Sequence, residues 1–148
     1  VEAMGRLPIN ALLTVGKGAP ENLIPSPLPP NVAVRDFVPQ AAILPLADLM
    51  LCHGGSGTVV GALEAGLPLV IIPVAADQPD NARCLKAAGL AHVVGDIQGE
   101  DLADRITLAL EAALADAPLK ARAKAAARDI AAMPSLDEAL DRMLAHAG

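Results

Sequence analysis

The stretch Asp48–Pro73, "DLMLCHGGSGTVVGALEAGLPLVIIP", places two apolar runs on either side of a glycine loop and a helix-spaced segment. The runs "DLMLCH" and "LPLVIIP" are short and almost wholly apolar, which fits strands buried on both faces. Between them, Ser56–Gly66 has helical spacing and is stopped by Gly66 and Pro68. A strand, a helix and a second strand in this order make a crossover unit, the building block of a parallel sheet.

The same alternation extends outward. "INALLTVG" (Ile9–Gly16) predicts a buried strand, and "VEAMGRLP" before it has the composition of a helix tail. Gly18–Pro30 is a Pro-rich loop, "NVAVRDF" (Asn31–Phe37) a short strand, and "PQAAILPLA" a short helix disturbed by Pro45. After Pro73, "DQPDNARCLKAAG" predicts a helix stopped at Gly89, and "LAHVVG" a further strand. Three helical stretches follow: Glu100–Ala115, Pro118–Met133 and Ser135–His146. The fold class is therefore α/β: a Rossmann-like open parallel sheet with helices on both faces and a C-terminal helical tail. Ligands in such sheets bind beyond the carboxyl ends of the strands. The loops to read are those after Gly16, Phe37, His53, Pro73 and Gly95.

Composition narrows the partners. The chain has 148 residues, enough for one domain with a real core, and 53% are hydrophobic against 19% charged. A net charge of −6 argues against a nucleic-acid backbone or an anionic membrane surface. The longest apolar stretch is too short to span a bilayer and is broken by Pro68 and Pro73. No secretory signal is evident, and Cys52 and Cys84 have no framework spacing, so free buried thiols in a reducing, cytoplasmic setting are expected. The three histidines are far apart and no D-x-D occurs, so no metal site and no cofactor are expected. His92 reads as a strand residue without special role.

Three loops carry candidate chemistry. In "HGGSGT" (53–58), a helix starting at Ser56 or Thr58 offers unpaired N–H groups to an anion. Gly55 and Gly57 allow close backbone approach, Thr58 adds a hydroxyl, and His53 can donate to a phosphate oxygen. The alternative is a plain turn with Ser56 or Thr58 as cap. The dinucleotide fingerprint fails because Val60 stands where the third glycine belongs, and G-x-S-x-G fails at Thr58. In "DFVPQ" (36–40), the sole aromatic residue, Phe37, falls at a strand end, where it suits stacking on a flat base or filling the core. Val38 and Gln40 flank the same turn. In "PVAADQPDN" (73–81), Asp77 and Gln78 open a helix at the rim. The pair suits sugar hydroxyls; the plainer reading, Asp77 as an N-cap with Asp80 in the first turn, is compatible with that role.

Taken together, "FVPQ" (37–40), "HGGSGT" (53–58), "ALEAGLP" (62–68), Pro73 and "ADQPDNA" (76–82) resemble the donor-nucleotide half of GT-B glycosyltransferases. The similar family includes UDP-glucuronosyltransferases, plant secondary-product glucosyltransferases and bacterial antibiotic glycosyltransferases. These motifs occur in the family's order. The resemblance implies that Phe37 stacks on the base, Val38 bonds it through the backbone and Gln40 lies beside the ribose. It implies that His53, Gly55, Gly57 and Thr58 hold the diphosphate, and that Asp77 and Gln78 bind the donor sugar. Where plant members carry a ribose-binding Glu, this chain has Gly61, so a dTDP-sugar is as compatible as a UDP-sugar.

The implied activity is that of an inverting, metal-independent enzyme moving a hexose from a UDP- or dTDP-sugar to a hydroxyl of a small-molecule acceptor in secondary metabolism. The resemblance also implies that residues 1–148 form only the nucleotide-sugar-binding domain. Its first strand would precede Val1, and the acceptor domain with the general base would lie N-terminal to it. No catalytic residue is then expected in this chain. Alternatives are a nucleotide-binding subunit of a split glycosyltransferase, a non-catalytic nucleotide-binding module, and an epimerase of the same fold acting on UDP-N-acetylhexosamine.

Overall fold

A computed structural model of the chain describes residues 1–20 and 24–146; part of the predicted Pro-rich loop, 21–23, lies outside the described residues. The elements in order are α1 (Glu2–Gly5), β1 (Ala11–Thr14), β2 (Val32–Arg35), α2 (Gln40–Ile43) and a 3-10 turn at Leu44–Leu46 that contains Pro45. Then come β3 (Met50–Cys52), α3 (Ser56–Glu64), β4 (Leu69–Ile71), α4 (Gln78–Ala87) and β5 (Ala91–Val93). Three helices close the chain: α5 (Leu102–Ala115), α6 (Ala117–Ala131) and α7 (Leu136–His146).

All strand pairs are parallel, as the crossover pattern requires. They fall into two hydrogen-bonded sets, β1–β2 and β3–β4–β5, where the sequence reading had a single sheet. The centre is β4. Leu69, Val70 and Ile71 are all fully buried, and alternation sends them to opposite faces. Leu69 and Ile71 pack with Val59 and Ala62 of α3 and Ala82 of α4, whereas Val70 packs with Leu110 and Ala113 of α5 and Leu119 of α6. This is why the run 67–73 carries no polar position. Helices cover both faces, as expected.

β1 departs from expectation. It was read as buried, but its residues alternate between half-buried and exposed, and Leu12 is 41% exposed. The reason is that, among the described residues, β1 pairs only with β2. Among the described residues β3 likewise pairs only with β4, and all three of its residues are half-buried. The chain entering β1 still packs on the larger sheet, for Met4, Leu7 and Ile9 share a cluster with Leu49, Leu51, Val70 and Ile72. Asn31 fixes that entry by donating Nδ2 to the carbonyls of Met4 (2.9 Å), Leu7 (3.1 Å) and Ile9 (2.8 Å).

Helix ends follow sequence signals. After α3, Gly66 N–H donates to Leu63 O and Leu67 N–H to Ala62 O; after α4, Gly89 and Leu90 repeat the pattern with Lys86 and Leu85. These paired bonds satisfy carbonyls that a helix end leaves open. At α7, Ser135 and Glu138 bond reciprocally, a capping box in "SLDE". His92, expected to have no special role, joins β5 to the start of α6 through Asp116 (Nε2 to Oδ2, 3.3 Å). Of the cysteines expected to be buried, Cys52 is half-buried and Cys84 exposed; both are free.

Candidate functional site

The glycine loop forms where β3 ends. His53 follows Cys52 directly, and Gly54 turns the chain with φ +88° while buried against Ile71. A Cβ at Gly54 would stand 2.8 Å from Ile71 Cγ2, so both the backbone angle and the space require glycine. Gly55 is the N-cap of α3, and no side chain caps this helix. Its first intrahelical bond is Val59 N–H to Gly55 O, which leaves the N–H groups of Ser56, Gly57 and Thr58 outside the helical pattern. A Cβ at Gly57 would meet nothing within 4 Å among the described residues, so that side of the first turn is open.

His53 is exposed, and its ring lies over Gly55: a Cβ there would come within 2.6 Å of Nε2. The ring therefore sits beside the N-cap residue of α3. Two kinds of donor converge there, imidazole and helix N-terminus, and both favour an anion.

At the neighbouring strand end, Ala76 adopts a left-handed backbone (φ +57°) and Asp77 stands at the N-cap of α4. The capping alternative fails, because the Asp77 side chain makes no cap hydrogen bond. It is turned toward the glycine loop instead. Ser56 Oγ donates to Asp77 Oδ2 at 2.7 Å, and Asn81 Nδ2 donates to the same oxygen at 2.9 Å. Asn81 Nδ2 also reaches Gly54 O (2.9 Å) and Ser56 Oγ (3.2 Å). Gln78 pins the preceding loop, its Oε1 accepting from Val74 N–H (2.9 Å) and Ala75 N–H (3.0 Å). Its carbonyl is thus engaged, and its amide N–H groups are what it could offer a ligand.

The third predicted segment lies beside α3. Phe37 is 66% exposed just beyond β2, which discards the core-filling alternative, and Val38 is half-buried. Gln40 begins α2 and sends Oε1 to 3.9 Å from where a Cβ on Gly61 would sit. The structure thus joins His53, Gly55, Asp77 and Gln78 through the glycine loop and the start of α4. Phe37, Val38 and Gln40 make no side-chain hydrogen bond to that cluster among the described residues. Sequence reasoning assigned no role to Asn81 and gave Ser56 only that of a cap. The available signal was spacing: Asn81 is one helical turn after Asp77.

The carboxylates respond to these contacts. Asp77 is held below its ordinary range, first by the Ser56 hydroxyl, then by Asn81. Asp116 is lowered by Leu119 N–H and then by His92, and Glu138 by Ser135. Burial raises the Cys52 thiol, which keeps it protonated and out of nucleophilic chemistry. A carboxyl whose pKa is depressed on folding contributes stability above its unfolded value and loses it as pH falls through the folded value. The melting temperature should therefore hold near neutrality and fall below about pH 4. Asp116→Asn should flatten part of that fall, read by circular dichroism melts across the acid range.

Among the described residues, no group of three or more His, Cys, Asp or Glu converges to hold a metal ion, and no helix is long and apolar enough to cross a membrane.

Known proteins similar to this chain are named glycosyltransferases. Demethyllactenocin mycarosyltransferase of Streptomyces fradiae is 38% identical over 104 residues, covering 69% of this chain and 22% of that protein. The spinosyn rhamnosyltransferase SpnG, solved with thymidine diphosphate, superposes with a TM-score of 0.85 at 33% identity, covering 97% of this chain and 38% of SpnG. The glycosyltransferase VinC, solved with dTDP, gives a TM-score of 0.85 at 28% identity, covering 97% of this chain and 35% of VinC. This chain thus spans well under half the length of the proteins it matches. Residues 1–145 match the family described as erythromycin biosynthesis protein CIII-like, C-terminal domain, and the chain belongs to that family of glycosyltransferase C-terminal domains.

Proposed function

We propose that this chain binds the nucleotide-sugar donor of an inverting, metal-independent glycosyltransferase. The donor is a UDP- or dTDP-hexose, and the acceptor is a hydroxyl of a small molecule held mainly by a domain outside this chain. The observation that carries the reading is the uncapped start of α3, with His53 over Gly55 and the Asp77 carboxylate turned toward it.

In this reading the diphosphate sits on the N–H groups of Ser56, Gly57 and Thr58, with His53 donating from the side. Phe37 offers an exposed face to the base, Val38 its backbone groups, and Gln40 an amide toward the ribose. Asp77 accepts from sugar hydroxyls, and Gln78 donates to them. During transfer the acceptor oxygen bonds to the anomeric carbon as the bond from that carbon to the diphosphate oxygen breaks. Negative charge grows on the departing diphosphate, and donors already fixed in place stabilise it without reorganisation. The base that takes the acceptor's proton must lie within hydrogen-bond reach of that hydroxyl, and we place it outside this chain. Gly61 brings no carboxylate toward the ribose, which leaves thymidine and uridine nucleotides equally acceptable.

We also propose that β1–β2 and β3–β4–β5 are parts of one sheet whose missing strand comes from residues preceding Val1. Among the described residues β1 pairs only with β2 and β3 only with β4, and both strands are only partly buried.

The test of the donor reading is calorimetric titration of the folded protein with dTDP and with UDP. Binding of at least one, without sugar transfer by this chain alone, is the expected result. A folded sample that binds neither would overturn the reading.

A further inference from the structure

We infer that Asn81 is a positioning residue that couples the diphosphate loop to the sugar-binding carboxylate; the inference rests on the donor-site reading above. Asn81 is half-buried near the start of α4, and its Nδ2 lies within hydrogen-bond distance of three acceptors on two segments. Gly54 O and Ser56 Oγ belong to the glycine loop, and Asp77 Oδ2 belongs to the turn before α4. An amide nitrogen has two hydrogens, so the third and longest contact is shared. Ser56 Oγ donates into the same Asp77 oxygen and closes a ring of hydrogen bonds.

This ring has two consequences. Both side-chain bonds fall on Oδ2, which fixes the rotation of the carboxylate and leaves Oδ1 without a side-chain hydrogen bond among the described residues. The bond to Gly54 O fixes the peptide that leads into Gly55, the residue under the His53 ring. Loop and carboxylate are therefore held at a set separation before any ligand arrives. Asn81 does not need to touch the ligand for this, since its donors are already used. Aspartate at this position could not replace it, because a second carboxylate would face Asp77 and the Gly54 carbonyl.

A ligand with both diphosphate and sugar needs loop and carboxylate in register, whereas dTDP alone needs only the loop. The readout is thus a ratio, the affinity for dTDP-glucose relative to that for dTDP, measured by titration calorimetry. Asn81→Ala should lower that ratio about tenfold, the size of a charge-assisted hydrogen bond lost from a preorganised site. Asn81→Asp should lower it at least as much. Ser56→Ala, at an exposed position, should lower it in the same direction and decides the matter if the Asn81 variants do not fold. Equal losses for both ligands, or an unchanged ratio in all variants, would overturn the coupling while leaving the donor site intact. A wild-type protein that binds neither ligand would overturn the donor reading and the coupling with it.

Discussion

His53→Ala should weaken dTDP binding about ten- to a hundredfold, the range spanned by loss of one hydrogen bond to a charged group. The same substitution should leave thymidine binding unchanged. The contrast follows from where the ring lies. It covers Gly55 at the start of an uncapped helix, so its partner is whatever anion the helix N-terminus holds. The nucleoside would rest on the 37–40 segment, which makes no side-chain hydrogen bond to that cluster. Gly55→Ala should reproduce much of the loss without removing the imidazole, because a Cβ within 2.6 Å of Nε2 must push the ring aside. Calorimetry with both ligands checks this. Equal losses for nucleotide and nucleoside would take His53 out of its phosphate role.

Much of the fold was legible in the sequence, and the candidate residues fall where its strands end and helices start. "LPLVIIP" marked the central strand, since only a strand covered on both faces carries Leu69, Val70 and Ile71 without a polar break. The glycine loop was placed after β3 and Asp77-Gln78 after β4, where the structure has them, without any knowledge of pairing. What could not be read are contacts between positions distant in sequence. Ser56 and Asp77 are separated by a whole strand and helix, and nothing local to either says that the hydroxyl reaches the carboxylate. For the same reason Asp77 passed for a possible cap, the usual local role of aspartate at a helix start. Only the structure shows its side chain turned away. The partition of the strands is illegible for a related reason. "INALLTVG" is apolar enough to be buried, and that composition suits a strand with neighbours on both edges. Here β1 has one.

That mismatch between composition and environment carries the largest expected change in stability. A longer polypeptide that includes the residues preceding Val1 should melt well above the 148-residue chain. One parallel strand between β1 and β3 would pair both open edges and cover Leu12, now 41% exposed, together with the half-buried Met50 and Leu51. Several backbone bonds at about 1 kcal/mol each, with the added apolar burial, amount to about 5 kcal/mol. For a domain of this size that corresponds to a rise of roughly 10–20 °C. Parallel sheets are stable when both faces and both edges of the inner strands are covered, and β4 shows that state within this chain. β1 and β3 should reach it when the slot is filled. Hydrogen exchange supplies the local check, since the amides of Leu12, Thr14 and Leu51, which point away from β2 and β4, should become protected along with the rise in melting temperature. Replacing apolar residues of the added strand with charged ones should abolish both effects. Unchanged melting and exchange in the longer polypeptide would mean that the two sheets are complete as they stand.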